Sequence, residues 1–406
     1  MLCLLVGAAF SQGANFIRPQ EYATGEFGVT TINLEFTRLV LSVQVFLAGV
    51  QLPARYVRQK WRPLLLILGP GMTLMWLMSS LLIWGLSKRT SFVESLIVGA
   101  CITPTDPVLA NTIIKGRFAD DYMPLDLAHL IAAESGANDG LGFPFLYLGL
   151  WLYRAKLRAN FSTSNAMELW FGDTWAYVVV LSVIWGAVAG YLSRKALKWC
   201  DHLRFVDRES FHAFPIFIVL ALIGTCGLVG SDDVLSCFVA GNVLGWDNWF
   251  QEETLDDSSQ PTIDMMLNQA VFLWFGAVCP WPDFATSGDV IGLGRLVALS
   301  ILILLLRRIP VILALQKFLQ PVHSSKYALL MGHFGPIGVS AIFYLSELIL
   351  FLREEVEPDS GSSEEVSRLV QLAQVIVWFM LTSSVVSSAV AQSPFVVTNS
   401  LDKFLG

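Results

Sequence analysis

Long apolar stretches follow one another along nearly the whole chain, and this succession constrains the fold more than any other feature. A helix that crosses the bilayer needs roughly 20 apolar residues. Only 15% of the residues are charged, whereas a soluble domain carries about 25%. The sequence therefore predicts an all-α polytopic membrane protein, a single transmembrane domain over residues 1–406 with about twelve spanning helices. The apolar stretches lie at 2–17, 39–53, 63–86, 92–114, 124–152, 175–197, 213–230, 234–250, 263–281, 290–315, 327–352 and 369–391.

Net charge and cysteine spacing exclude several classes of function. The formal charge of −7 argues against a nucleic-acid partner, which requires a basic face. The six cysteines are scattered without metal-binding or redox spacing, and we interpret them as small packing residues. Residues 1–17 lack a basic start, which favours a spanning helix over a signal peptide. We predict no cofactor.

Basic loops predict the orientation of the chain. Loops 54–62 and 194–208 are the most basic, and an even number of predicted crossings separates them. Because short cytoplasmic loops carry an excess of Lys and Arg, both loops are predicted to face the cytoplasm. Both chain ends then lie on the cytoplasmic side, although Arg154, Lys156 and Arg158 in a predicted outer loop argue against this topology.

Two of the apolar stretches are interrupted near their middles. The fourth reads LIVGACITPTDPVLANTII, with two prolines beside Asp106, and the eleventh reads YALLMGHFGPIGVSAIFYL, with Gly335, Pro336 and Gly338 close together. Irregular backbone at membrane depth is tolerated only where it is buried in protein or lines a cavity. We number the two interrupted helices 4 and 11. Paired interruptions of this kind are typical of inverted-repeat transporters, whose crossed broken helices form an ion site. The alternative is a pair of packing kinks.

Few charged residues lie near the middles of the apolar stretches, away from their ends. They are Asp106 in the interrupted fourth stretch, Glu134 and Asp139 in the fifth, and Arg307 and Arg308 in the tenth. A charged residue at the bilayer centre costs about 2.5–3.5 kcal/mol on insertion scales, so these groups are expected to be paired or to line a wet path.

Helical spacing separates the polar residues of the fifth stretch into two faces. Glu134 and Asn138 are four residues apart and share one face, while Ser135 and Asp139 share the next. We predict that Glu134 pairs with a buried arginine, and that Ser135 and Asp139 face an ion. The alternative for the pair is a purely structural role in holding helix register.

An alkali cation requires oxygen ligands, which the interrupted helix and its neighbour supply. The predicted Na⁺ site combines the Thr105 main-chain oxygen, the Ser135 hydroxyl and the Asp139 carboxylate. Protonation of that carboxylate abolishes the site, so proton and cation compete for it. If the site changes sides of the membrane only when the carboxylate holds a proton or a cation, this competition is sufficient for exchange.

Seven segments together resemble the monovalent cation/proton antiporters, and within them the fungal sodium/proton antiporters of the plasma membrane. The TDP motif of a broken helix combined with an ESxxND helix is more specific than either piece alone. The segments are EFTRLVLSVQVFLAGVQLP (35–53), ACITPTDPVLANTIIKGRFA (100–119), AAESGANDGLGFPFLYL (132–148), GSDDVLSCFVAGN (230–242), IDMMLNQAVFLWFGAVCPW (263–281), LRRIPVIL (306–313) and GHFGPIGVSAIFY (332–344).

The resemblance implies roles for individual residues. Asp139 matches the family's ion- and proton-binding carboxylate, and Asn138 its stabilising neighbour. Thr105 and Asp106 match the crossover of the unwound helix, and Ser135 the hydroxyl ligand. Glu134 with Arg307, or with Arg308 if the register differs by one residue, matches the structural ion pair. Asp232 and Asp233 also match a family position, but the same run is equally typical of a helix N-cap.

The resemblance also implies an assembly and a location. Members form dimers in which a core bundle moves against a scaffold, so a homodimer in the plasma membrane is expected. The transported ions are expected to be Na⁺ and H⁺, with Li⁺ and K⁺ as alternatives. Compared with the family pattern, the sequence starts at what matches the second helix and ends without a long cytoplasmic tail.

Three other functions compete with exchange. A uniporter or channel would use the same oxygen ligands without obligatory proton competition. An intramembrane aspartyl protease needs two aspartates that share a proton, and no Gly-x-Gly-Asp sequence precedes Asp106 or Asp139. An inactive relative serving as a regulatory subunit would keep the fold without transport. The sequence favours a secondary transporter over an enzyme.

Overall fold

The computed structural model describes residues 1–22, 28–107, 123–158, 161–254, 259–322, 324–333, 335–356 and 363–391. All the regular structure in these ranges is helical. The principal helices are α1 (Leu2–Ala8), α2 (Gly28–Gln51), α3 (Trp61–Leu66), α4 (Met72–Leu86), α5 (Phe92–Cys101), α6 (Leu125–Gly140), α7 (Phe143–Leu157), α8 (Thr163–Leu169), α9 (Val180–His202), α10 (Arg208–Val229), α11 (Asp233–Leu244), α12 (Ser259–Val278), α13 (Leu293–Leu306), α14 (Ile309–Leu315), α15 (Ser325–His333), α16 (Val339–Phe351) and α17 (Ser363–Ala391).

Wider or tighter turns extend several of these helices. They are Ala9–Gly13 after α1, Ile67–Gly71 between α3 and α4, Trp170–Val179 between α8 and α9, Gln316–Phe318 after α14 and Leu352–Val356 after α16. Four short helices, Pro19–Tyr22, Tyr56–Gln59, Trp249–Glu253 and Asp283–Thr286, lie in the connections.

Five helical runs in the described ranges are long and apolar enough to cross a membrane. They are Gly28–Gln51, Trp61–Leu86, Thr163–His202, Leu293–Phe318 and Ser363–Val390. Shorter apolar helices, among them Phe92–Cys101 and Asp233–Leu244, pack between them. The predicted all-α membrane fold is confirmed, whereas twelve crossings and the orientation stay predictions.

Two predicted spans are each divided in the structure. The stretch 124–152 forms α6 and α7, which separate at Leu141 and Gly142. The stretch 290–315 forms α13 and α14, which separate at Arg307 and Arg308. Apolar composition alone could not predict either division, because apolar residues continue beyond both of them. The second half of the predicted stretch 92–114 lies outside the described residues.

Close glycine contacts hold the central helices together. A methyl group at Gly49 of α2 would overlap the Phe238 carbonyl oxygen of α11, and one at Gly241 of α11 would overlap that of Phe46. Gly190 of α9 is equally close to the carbonyl of Ala240. Small residues let helix backbones approach within a membrane, where packing replaces the hydrophobic effect. Helix α11 is therefore fixed between α2 and α9.

Helices α5 and α16 bring the two interrupted segments into the centre of the bundle. Helix α5 packs against α4, α7 and α16, and α16 packs against α2 and α17. Helix α5 starts with a capping box, in which Ser91 accepts from the Glu94 amide and Glu94 accepts from that of Ser91. Near its other end the irregular backbone begins at Ile102 and continues to Asp106.

Candidate functional site: the crossing of two broken helices

The backbone of the two breaks meets directly. The Asp106 amide donates to the Pro336 carbonyl at 3.0 Å, and the Val339 amide donates to Asp106 Oδ2 at 2.8 Å. The Asp106 carboxylate therefore lies at the N-terminus of α16, where a negative charge is stabilised by the unsatisfied amides and the helix dipole. A methyl group at Gly338 would overlap this carboxylate, so only glycine fits there. The two interrupted segments meet as predicted, although the second half of the first one lies outside the described residues.

Arg307 ties the two breaks together through their carbonyl groups. Its guanidinium donates to the carbonyl oxygens of Ile102 in the first break and of Gly335 in the second. Broken helices leave such carbonyls without a helical partner, and a buried carbonyl without a donor is costly. One buried arginine thus satisfies acceptors from both breaks.

Arg308, rather than Arg307, pairs with Glu134. Its two terminal nitrogens contact the two Glu134 oxygens at 2.7 and 2.8 Å, and its Nε donates to the Met331 carbonyl at 3.0 Å. The side chains are 2% and 0% exposed, so the pair is fully desolvated. Of the two predicted partners, our first choice of Arg307 was therefore wrong. The helix is interrupted at the arginine pair, and the two guanidinium groups have separate partners, which a continuous-helix register could not predict.

Thr105 is held by two residues of α6. Asn138 donates to the Thr105 hydroxyl at 2.7 Å and accepts from the Thr105 amide at 3.2 Å. The Ser135 hydroxyl lies 3.3 Å from that of Thr105. Asn138 thus contacts the broken helix beside Ser135, although helical spacing places it on the same face as Glu134. The structure brings Thr105, Ser135 and Asn138 together as one buried polar cluster.

Asp139 differs from every other group at the crossing. It is 0% exposed, and neither carboxylate oxygen makes a hydrogen bond of good geometry with a described residue, the Ser340 hydroxyl of α16 being a nearby donor. Its main-chain carbonyl accepts from the Tyr344 hydroxyl of α16. A buried carboxylate without a well-aligned donor is unfavourable when ionised, so it requires either a proton or a cation. The arrangement is therefore able to bind one of these two ions at a time.

Tyr344 is a residue that sequence reasoning missed. Its hydroxyl contacts the carbonyl oxygens of Asp139 and, at 3.4 Å, Gly140, at the end of α6. A methyl group at Gly142 would overlap its ring, so the division between α6 and α7 accommodates this side chain. The only hint in the sequence was the glycines that follow the ESxxND motif, because glycine often marks a place where a large side chain approaches the backbone closely.

Asp232 and Asp233 have different partners. Asp232 is the N-cap of α11 and accepts from the Leu235 amide at 3.1 Å, as one of the two readings of the sequence expected. Asp233 instead accepts from Arg38 Nε of α2. This second buried ion pair was not predicted, since nothing in the sequence relates Arg38 to residue 233.

Comparison with known proteins gives the family. The family model described as "Sodium/hydrogen exchanger, transmembrane" matches residues 1–396. Na(+)/H(+) antiporter 2 of Zygosaccharomyces rouxii is 35% identical over 379 residues, which are 92% of this chain and 46% of that protein. The Na(+)/H(+) antiporter of Saccharomyces cerevisiae is 35% identical over 399 residues, 96% of this chain and 39% of that protein. The chain thus spans less than half the length of these curated relatives.

Solved structures show the same fold. The sodium proton antiporter MjNhaP1 from Methanocaldococcus jannaschii, solved at pH 8, superposes with a TM-score of 0.70. The match covers 96% of this chain and 92% of that one at 16% identity. At this identity the likeness concerns the fold, while the family follows from the match over residues 1–396. The chain belongs to the sodium/hydrogen exchanger family.

Proposed function

We propose that this chain exchanges a monovalent cation, Na⁺ first, for protons across a membrane, with Asp139 binding either ion in turn. The supporting observation is the fully buried Asp139 carboxylate, whose two oxygens have no hydrogen-bond partner among the described residues. It lies on the helix that also holds the crossing of the two broken helices. The curated relatives are named Na(+)/H(+) antiporters, which supports the same function here.

The proposed cation ligands are oxygen atoms of three residues. The Asp139 carboxylate supplies the charge, and the Ser135 hydroxyl lies on the preceding turn of α6. The break leaves the Thr105 main-chain oxygen without an intrahelical hydrogen bond from a described residue. Asn138 holds Thr105 through two hydrogen bonds, which keeps this oxygen in place. Asp106 accepts a hydrogen bond from the Val339 amide at the α16 N-terminus and so positions the two broken helices against each other.

Competition between the two ions produces exchange without any further group. A proton on Asp139 removes the negative charge on which the cation depends, and a bound cation disfavours the proton. If the carboxylate moves between the two sides only when occupied, a gradient of either ion drives the other in reverse. A uniporter or channel would not need this coupling.

Cation-induced dissipation of a pH gradient in proteoliposomes tests this function. Sodium, lithium and potassium are added in turn to the wild-type chain, to Asp139→Asn and to the matched control Asp126→Asn. Asp126 is an exposed acid on the same helix. We expect a saturable response in the wild type and the control, lost in Asp139→Asn. A folded wild-type chain without any response would favour the inactive regulatory relative.

The membrane and the assembly are further parts of the proposal. The resemblance to fungal plasma-membrane antiporters supports the plasma membrane and a homodimer. Fluorescent tagging in a fungal cell tests the membrane, and mass determination of the detergent-solubilised chain tests the dimer. A monomeric mass or an internal membrane would contradict these two points and leave the exchange reaction untouched.

A further inference from the structure

A second polar cavity, separate from the crossing, lies between α2, α7, α11 and α16. Its volume is about 320 Å³. Four carboxylates line it, with one arginine: Asp173, Asp232, Asp233, Glu347 and Arg38. Asp173 is exposed and marks the mouth of the cavity, while Asp232 and Asp233 are 2% and 3% exposed. The negative charges in this cavity outnumber the positive charge by three.

The arginine of the cavity already has carboxylate partners. Arg38 donates through Nε to Asp233, and its Nη1 lies 3.7 Å from Glu35 at the surface. Asp233 is therefore neutralised within the protein. The guanidinium is therefore taken by Asp233, and the carboxyl groups of Asp232 and Glu347 have no counter-ion of their own among the described residues.

Asp232 has an oxygen directed at no protein group. Its Oδ1 caps α11 by accepting from the Leu235 amide, but its Oδ2 is buried without a hydrogen-bond partner in the described ranges. Glu347, half-buried on α16, forms no ion pair with a described residue and is acted on by the charge of Arg38. A buried carboxylate oxygen that no donor satisfies requires a proton, a cation or water.

The donor set favours a monovalent cation that keeps part of its water. No group of three His, Cys, Asp or Glu among the described residues is arranged to chelate a metal ion. Divalent ions are bound by several protein oxygens at once, whereas two carboxylates in a roomy cavity suit a weakly held, hydrated ion. A water molecule takes about 30 Å³ of liquid volume, so the cavity holds an ion with its shell.

We propose that this cavity is a second cation site, in which Asp232 and Glu347 hold a partly hydrated alkali cation while Arg38 neutralises Asp233. Asp139 does not line this cavity, and two aromatic side chains connect the two places. Phe143, four residues after Asp139, lines the cavity and contacts Tyr344, with ring centroids 5.7 Å apart. The choice of alkali ions as occupants rests on the proposed exchange, but binding here does not require exchange to occur.

Sodium-dependent thermal stabilisation of an Asp139→Asn chain tests this site. A ligand that binds only the folded state raises the denaturation temperature in a concentration-dependent way. The Asp139→Asn background removes the proposed transport carboxylate, so the remaining stabilisation reports a different site. Sodium chloride is compared with choline chloride at equal ionic strength and fixed pH in detergent. We expect saturable stabilisation by sodium alone.

Isosteric variants in that background locate the site. Asp232→Asn keeps the oxygen that caps α11, and Glu347→Gln keeps its side-chain shape, so both remove charge while preserving the fold. Each is expected to raise the half-saturating sodium concentration about tenfold or more. Arg38→Gln is expected to lower it, because Asp233 then loses its counter-ion and adds a carboxylate to the cavity. Asp247→Asn, an acid outside the cavity that pairs with Lys198, is the matched control and leaves it unchanged.

Two results would overturn the second site. Equal stabilisation by sodium and choline in the Asp139→Asn chain would show that no further site exists. A half-saturating sodium concentration unaffected by both Asp232→Asn and Glu347→Gln would place the binding elsewhere. Neither result bears on exchange at Asp139, which the proteoliposome assay measures independently.

Discussion

Two buried carboxylates on helix α6, five residues apart, have opposite surroundings. Glu134 accepts two hydrogen bonds from Arg308 at 2.7 and 2.8 Å, whereas both oxygens of Asp139 lack a partner among the described residues. Both side chains are 0% exposed. Burial is therefore not what distinguishes them. The protein itself thus supplies the counter-charge of Glu134, whereas Asp139 has none among the described residues, as the proposed exchange requires.

Breaking the Glu134 pair is expected to have the largest effect on stability. Arg308→Met leaves Glu134 as an unpaired buried charge, which should lower the free energy of unfolding by about 3–5 kcal/mol. Denaturation of the purified chain in detergent measures this loss. Arg295→Met, at an exposed position on α13, is the control.

A double variant sharpens the same comparison. Replacing a buried ion pair by apolar residues of similar volume is often neutral. Glu134→Met combined with Arg308→Met should therefore recover most of the stability lost by Arg308→Met alone. A double variant as unstable as the single one would mean that Arg308 acts chiefly through the Met331 carbonyl.

Gly338→Ala tests the steric fit of the crossing. The added methyl group would overlap the Asp106 carboxylate and push it from the α16 amides. Overpacking of this kind costs about 1–3 kcal/mol. Gly294→Ala, where no atom lies within 4 Å of the added group, should not destabilise the chain. Equal thermal stability of both variants would refute the tight crossing.

Tyr344→Phe should have a smaller effect. It removes the hydroxyl that donates to the Asp139 carbonyl, with a longer contact to that of Gly140, a loss of about 1 kcal/mol. The matched control Tyr177→Phe removes a 2.6 Å bond to the Val229 carbonyl at an exposed site. We expect the Tyr344 variant alone to change the sodium concentration that gives half-maximal exchange. An unchanged value would limit Tyr344 to packing.

Asp139→Asn is expected to have the smallest effect on stability. No hydrogen bond from a described residue to its carboxylate is lost, and an uncompensated buried charge is removed. The melting temperature should stay the same or rise, although exchange is abolished. A decrease as large as that of Arg308→Met would contradict the contrast between the two carboxylates.

The sequence predicted the elements that depend on local chemistry. Prolines and glycines marked both broken helices, and the few intramembrane charges marked the residues that meet there. The sequence could not predict which side chains pair where a helix is interrupted. The arginine pair interrupts its helix, so helical spacing gave no basis for choosing between Arg307 and Arg308. Tyr344 and Arg38 were missed because each meets its partner about 200 residues away in the chain.

The hydrogen bond from the Val339 amide to Asp106 spans 233 residues of sequence. Synthesis proceeds from the N-terminus, so the first break is made long before the segment that completes it. During that interval the membrane must accept Asp106 and the exposed carbonyls of the first break without their final partners. Insertion factors that shield polar groups should therefore be needed until residue 339 has entered the bilayer, and translation arrested before that point should leave a chain marked for degradation.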